Sequence, residues 1–336
     1  MTSDSGEPPL TEAQLPMRIV LGVYLRALRN AAGIQLKDAA FETRTSIAAV
    51  SRWERAESPI SKRNLETLLH LYQVPRKETE YLLHHLPPQK YKRGQDTTRG
   101  LAGRTRYDVW TDLSDEATAR YLALLRTADT VVEHCMVIPD GLRTRAYEDA
   151  VLRPGLGIDS RDAPDPLPSW LRRLASKQNP QRRTVLVDEG VLVRPVGGYA
   201  AMSEQLRHLA HLIRSEKGDG ADLTLRVVPT DHFLVVHLFA HPAELTFDGR
   251  SVTADWGLFA HYETGSRVAL RLSEGLREAA AAAYSREESL TRIEAAASAM
   301  ESNSPPVHVL KFPRDLGHSF VTRRGRALAA VGSRLE

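Results

Sequence analysis

A few side chains in this 336-residue sequence stand close enough together to do chemistry. Asp188-Glu189 is a carboxylate pair at the end of a β-branched run, 184–187. General acid/base work needs two carboxylates flanking one reacting bond, but neighbouring strand residues point to opposite faces. The pair fits that role only if the strand ends there, and a polar strand end is the plainer reading. His208 and His211 lie at i, i+3 on a helical stretch, which puts both imidazoles on one face. No third ligand follows at a metal-binding interval. Gly197-Gly198 could admit an anion to the helix that follows, yet no Lys-Ser/Thr comes after it, so a turn is favoured. His232, His237, His241 and His261 fall in a β-rich stretch and read as partly buried histidines, with a pH or metal sensor as the alternative. Cys135 is the one cysteine, which excludes an intramolecular disulfide and any cysteine-built metal cluster. It reads as a small buried apolar residue. No nucleophile elbow, P-loop or dinucleotide fingerprint occurs. These residues lead to the expectation of no enzyme, no cofactor and no metal.

A second set, near the N-terminus, has a different chemistry. Thr43-Arg44-Thr45 reads as a turn between two short helical runs, with Thr45 or Ser46 capping the second. On that helix Val50 and Trp53 lie at i, i+3 and face the core, leaving Ile47, Ala48, Ser51 and Arg52 outside. The major groove of B-DNA, about 12 Å wide, admits one such helix. Apolar Ile47 and Ala48 can touch thymine methyls. Arg52 can hold guanine O6 and N7 together, a contact that discriminates by about 1–3 kcal/mol. Arg52 is therefore the first base-reading candidate and Ser51 the second. Arg44, Thr45, Ser46, Arg55, Lys62 and Arg63 are phosphate candidates, which position without specifying.

The elements that must position these groups follow from periodicity. Leu21, Leu25, Leu28 and Ala32 form a helical stripe that Gly33 ends. A short helix over 35–42 presents the small pair Ala39-Ala40, a third runs to about Glu54, and a fourth carries Leu65, Leu68, Leu69 and Tyr72. A fifth spans about 77–85. Residues 1–16 read as a disordered arm, 17–86 as a five-helix head, and 87–112, rich in Lys and Arg, as a mobile basic linker. For 113–304 the pattern predicts an α+β domain. A helix from Ser114 to about His134 opens it and another spans 143–152. Strands follow near 184–187, 223–228 and 233–239, with a helix over 202–214. A hairpin turns on Asp248-Gly249, and helices over 266–283 and 285–300 close the domain. Residues 305–336 form a basic tail.

Charge is uneven along the chain. Residues 18–93 hold 14 Lys/Arg against 7 Asp/Glu, while the whole chain is only +3. Residues 305–336 are also basic, and excess positive charge at the two ends points to an anionic polymer, with solvated surface charge as the alternative. The polar start carries no signal-peptide core and no run reaches the roughly 18–20 apolar residues of a membrane span. A soluble, cytoplasmic protein without membrane contact is expected.

The motifs Leu-Arg-Ala-Leu-Arg-Asn-Ala-Ala-Gly (25–33), Ala39-Ala40 and Val-Ser-Arg-Trp-Glu-Arg (50–55) resemble the Xre-type, lambda-repressor-like helix-turn-helix family. The resemblance implies base reading from the third helix and a structural pair between Arg29 and Glu54. The chain departs from the family at Gln35-Leu36, where Thr-Gln is usual, and at Ile47 and Ala48, where polar residues are usual. Segments 138–147, 185–198, 202–209 and 225–229 resemble the uncharacterised C-terminal domain of actinobacterial WhiJ-like regulators. Asp140 and Arg143 replace that group's Gly and Gln. Asp188, Glu189, Arg194 and Arg143 are then candidates for a ligand or partner surface. The resemblance implies a transcription regulator that binds a double-stranded operator as a homodimer. The second domain would dimerise or receive a small molecule or a small protein partner. An antitoxin-like module, binding a small protein and regulating its own gene, is the alternative.

Overall fold

The structure, a computed structural model, describes residues 15–89, 107–156, 168–174, 181–216, 222–231, 233–257 and 259–302. The expected tail 305–336, most of the expected arm and the middle of the expected linker lie outside them.

Five helices form the head: α1 (Pro16–Ala31), α2 (Leu36–Thr43), α3 (Ile47–Glu54), α4 (Lys62–Leu71) and α5 (Arg76–His85). The body contains β1 (Val109–Asp112), α6 (Ala117–Thr127), β2 (Thr130–Cys135), α7 (Arg145–Leu156), α8 (Ser169–Arg173), β3 (Arg182–Asp188) and α9 (Tyr199–Arg214). It continues with β4 (Leu223–Val228), β5 (Pro242–Phe247), β6 (Arg250–Trp256), β7 (Ala260–Glu263), α10 (Arg267–Ala282) and α11 (Arg286–Glu301). Head and body thus have the expected classes, all-α followed by α+β.

The seven strands make one sheet in the order β1-β7-β6-β5-β2-β3-β4. β2, β3 and β4 are parallel, and the remaining pairings are antiparallel. Alternate side chains of the parallel strands serve opposite faces. Val185, Val187, Leu225 and Val227 join Leu206, Leu209 and Ile293 on the face covered by α9 and α11. Leu186 and Val228 meet Leu276 and Ala279 of α10 on the other. The β5–β6 hairpin turns where the dipeptide requires it. Asp248 and Gly249 both have positive φ, the left-handed conformation that a two-residue hairpin turn demands.

Four expectations are corrected. Leu15 and Pro16 belong to the head rather than to an arm, since Leu15 is buried and Pro16 opens α1, where a missing N–H costs nothing. The last four residues of the expected linker are β1, because Trp110 stacks on Tyr262 with ring centroids 5.6 Å apart. The helix expected to reach His134 stops at Thr127. The β-branched Thr130-Val131-Val132 suits a strand and starts β2 beside β3. Finally, 233–239 holds a 3-10 turn, Val235–Leu238, where a strand was expected, and it packs on α10.

Head and body share one hydrophobic cluster: Leu21, Tyr24 and Leu28 of α1 join Tyr121, Leu124, Leu245 and Tyr262. At its centre Arg120 of α6, fully buried, donates to Asp112 through Nε at 2.7 Å and Nη2 at 3.0 Å. It also donates to Glu78 of α5 and to Ser114. Its guanidinium lies 5.0 Å from the Tyr24 ring centroid. Burial works against this charge, yet the bonds and charges of Asp112 and Glu78 hold Arg120 above the usual arginine range.

Candidate nucleic-acid interface

The connection between α2 and α3 is fixed by local bonds. Arg44 ends α2 in the left-handed region of backbone space. That conformation costs a residue with a Cβ roughly 1–2 kcal/mol. It lets Thr45 N–H return to Ala40 O at 2.9 Å and turns the Arg44 side chain outward, the usual way to close a helix end. Thr43 and Thr45 hydroxyls share a 2.8 Å hydrogen bond. Ser46 then caps α3, accepting from Ala49 N–H at 3.1 Å.

Helix α3 is two turns long and divides as its sequence dictates. Val50 and Trp53 are buried, while Ile47, Ala48 and Arg52 are exposed. The Arg52 carbonyl accepts from Glu57 N–H at 2.8 Å, but the guanidinium makes no hydrogen bond among the described residues and meets Glu57 only through charge. Ser51 is placed differently. Half-buried, its Oγ accepts from Arg55 Nη1 at 2.9 Å, and Arg55 in turn grips Glu57 through Nε at 2.8 Å and Nη2 at 3.0 Å. Ser51 and Arg55 are thus occupied with each other. Lys62 and Arg63 are exposed at the start of α4, which Ser61 caps. With Arg44 and Arg52 they leave four exposed cations on α3, the start of α4 and the turn before α3.

Three contacts hold α3 from behind. Arg29 of α1 meets Glu54 in a two-bond fork, Nε to Oε1 at 2.6 Å and Nη2 to Oε2 at 2.9 Å, and Nη1 reaches Ile34 O at 3.0 Å. Such bidentate pairs fix geometry as well as adding energy. Burial opposes the Arg29 charge, but Glu54 outweighs it and raises the guanidinium pKa. Gly22 allows the helices to touch: a Cβ there would stand 2.6 Å from Trp53 O and 2.9 Å from Glu54 O. The third contact comes from the body. Arg250, just past the β5–β6 turn, donates to Arg55 O, and Asp248 lies 3.6 Å from Arg26. Gly22 and Arg250 carried no sequence signal beyond an isolated glycine inside a helical stripe, which often has a packing reason.

Residues 20–82 match the family described as a helix-turn-helix domain. Residues 118–295, more than half of the chain, match the family described as Domain of unknown function (DUF5753). The chain belongs to the DUF5753 family. No curated protein and no solved structure matches it. A helix-turn-helix head on a DUF5753 body is the organisation of a DNA-binding regulator, and no helix among the described residues is long and apolar enough to cross a membrane.

Within the DUF5753 region three of the four residues expected at a ligand or partner surface go to separate neighbours. Arg143 donates through Nε to Ile138 O at 2.6 Å, and Arg194 is exposed. β3 does end at the carboxylate pair. Asp188 Oδ1 accepts from Gly190 N–H at 2.7 Å, whereas Glu189 takes Arg292 at 2.5 Å. They face different partners and do not form an acid/base pair. His241 and His261 are bonded to Glu133 (2.8 Å) and Glu263 (3.0 Å). Cys135 is buried in the core, and burial raises its thiol pKa.

Proposed function

We propose that this protein is a sequence-specific transcription regulator of Xre type that lays α3 in the major groove of its operator. The observation that carries the reading is the split of α3: Val50 and Trp53 lock it to the head while Ile47, Ala48 and Arg52 stand exposed beside cations on α4 and the α2–α3 turn. Arg52 is the principal base reader, with Ile47 and Ala48 against thymine methyls. Arg44, Lys62 and Arg63 hold phosphates, helped by the Ser46 hydroxyl, whose O–H remains able to donate, while the Thr45 hydroxyl, which donates to Thr43 Oγ1, must turn from it to reach one. Ser51 and Arg55 take a lesser part, because Ser51 is half-buried beneath Arg55 and Arg55 would first have to leave Glu57.

Because one small head buries little surface, two copies reading half-sites about one helical turn apart, roughly 34–36 Å, are the expected arrangement. The body supplies the dimer contacts and receives the signal. It touches the head through the Arg120 cluster, and Arg250 reaches the end of α3. A change in the body therefore has a direct path to the reading helix.

Selection of binding sites from a random DNA pool by the intact chain tests this. Enrichment of one motif with two symmetric half-sites is the expected result. Recovery of unrelated sequences whose binding vanishes with salt would reduce the head to a non-specific polyanion binder.

A further inference from the structure

We propose that His134, Asp188 and His237 form a binding site for a divalent first-row transition-metal ion of the zinc class. This goes beyond the DNA-binding reading and does not depend on it. One ligand atom from each residue lies within 4.8 Å of the other two. His237 Nε2 is 3.3 Å and His134 Nε2 is 3.9 Å from Asp188 Oδ2. Metal–ligand bonds of about 2.0–2.2 Å set tetrahedral neighbours roughly 3.3–3.6 Å apart, so small side-chain shifts close the set.

The second observation is the state of His134. Its ring is fully buried, and neither nitrogen has a hydrogen-bond partner. A buried imidazole left so is unusual, since native folds pair nearly all such groups. His241 and His261, by contrast, each hold a carboxylate. The location is a third argument. His134 and Asp188 lie at the carboxyl ends of the adjacent parallel strands β2 and β3, where open sheets of this kind hold their ligands. Two imidazoles and one carboxylate suit zinc-class ions, and three protein ligands leave a fourth position for water or an exchangeable group.

The protons balance in a way that makes the site a switch. Leu234 N–H donates to His237 Nδ1 at 3.0 Å, so the neutral ring carries its proton on Nε2, facing Asp188. An ion at Nε2 takes that lone pair. The Nε2 proton leaves to solvent, Nδ1 gains one from solvent, and the ring stays neutral. His134 coordinates through Nε2 and keeps its proton on Nδ1. Once protonated, Nδ1 can no longer accept from Leu234, so coordination releases one bond at the start of the turn Val235–Leu238, whose backbone bond from His237 N–H to Leu234 O remains. Phe233 and Leu238 flank this bond and are both largely exposed.

The test uses the full chain stripped by a chelator, with no DNA present. Zn2+ is followed by calorimetry and Co2+ by its visible absorption. One equivalent of each should bind saturably. Asp188→Asn keeps an acceptor for Gly190 N–H, and His237→Ala removes a half-buried ring. Each should weaken Zn2+ binding by at least the roughly tenfold that loss of an outer-shell partner costs, with circular dichroism unchanged. His208→Ala should leave binding unaltered. Absence of saturable binding, undiminished binding by both site variants, or loss on His208→Ala overturns the site. Hydrogen exchange at the Leu234 amide reads the switch: Zn2+ should speed it, and unchanged protection with Zn2+ bound overturns that part.

Discussion

Two buried polar clusters in this molecule are built from the same kinds of groups and differ in how they are satisfied. At the seam, Arg120 faces Asp112, Glu78 and Ser114, and every nitrogen of its guanidinium donates to one of them. At the carboxyl end of β2, His134 is equally buried and neither ring nitrogen has a hydrogen-bond partner. A cluster satisfied from within holds elements together, whereas one left open is ready for a ligand. The first cluster joins head to body, and the second lies at the end of the parallel strands.

The comparison is broken most severely at the seam. Arg120→Met removes the cation and strands two carboxylates in a low-dielectric core. A loss of about 3–5 kcal/mol is expected in urea unfolding, because an unpaired buried charge costs far more than the intact pair contributes. Head and body should then melt in separate transitions. Next comes Gly22→Ala. Its Cβ would meet backbone oxygen, which cannot swing aside. Helices α1 and α3 must then separate, at a cost of about 1–3 kcal/mol. Operator affinity should fall with stability, as read by thermal melting and gel shift. Smallest is Ser46→Ala, which removes the α3 cap and leaves the seam untouched. Loss of such a cap costs about 1 kcal/mol, read as a small drop in the melting temperature.

The head could be read from its sequence because its determinants are local. Period-3.6 stripes, Ser46 as a cap and the inward pair Val50 and Trp53 all act within a few residues. The body was legible where dihedral demands are local, as at Asp248-Gly249, and in the helix expected over 285–300, which the structure starts with a Ser285–Glu288 capping box. It was not legible where strands are short and partners distant. Trp110 makes β1 a strand only by meeting Tyr262, and Arg120 finds Glu78 from 42 positions away. The open cluster was hidden by one boundary error. Extending the helix to His134 placed that ring on a helix, when it lies on β2 beside Asp188 and His237. The alternation in 233–239 looked like a strand for a related reason: periodicity alone cannot tell a short apolar run in a turn from one in a sheet.

The account's central claim is that Arg52 on the exposed face of α3 reads a base. It is tested most directly by measuring the affinity of the intact chain and of Arg52→Ala for the selected operator. The same measurement is repeated with each of the other three bases at every half-site position. The account predicts that Arg52→Ala loses about 1–3 kcal/mol on the operator and becomes indifferent to the base at one position in each half-site. Full base discrimination retained by Arg52→Ala, or a loss uniform across all sequences, would contradict it.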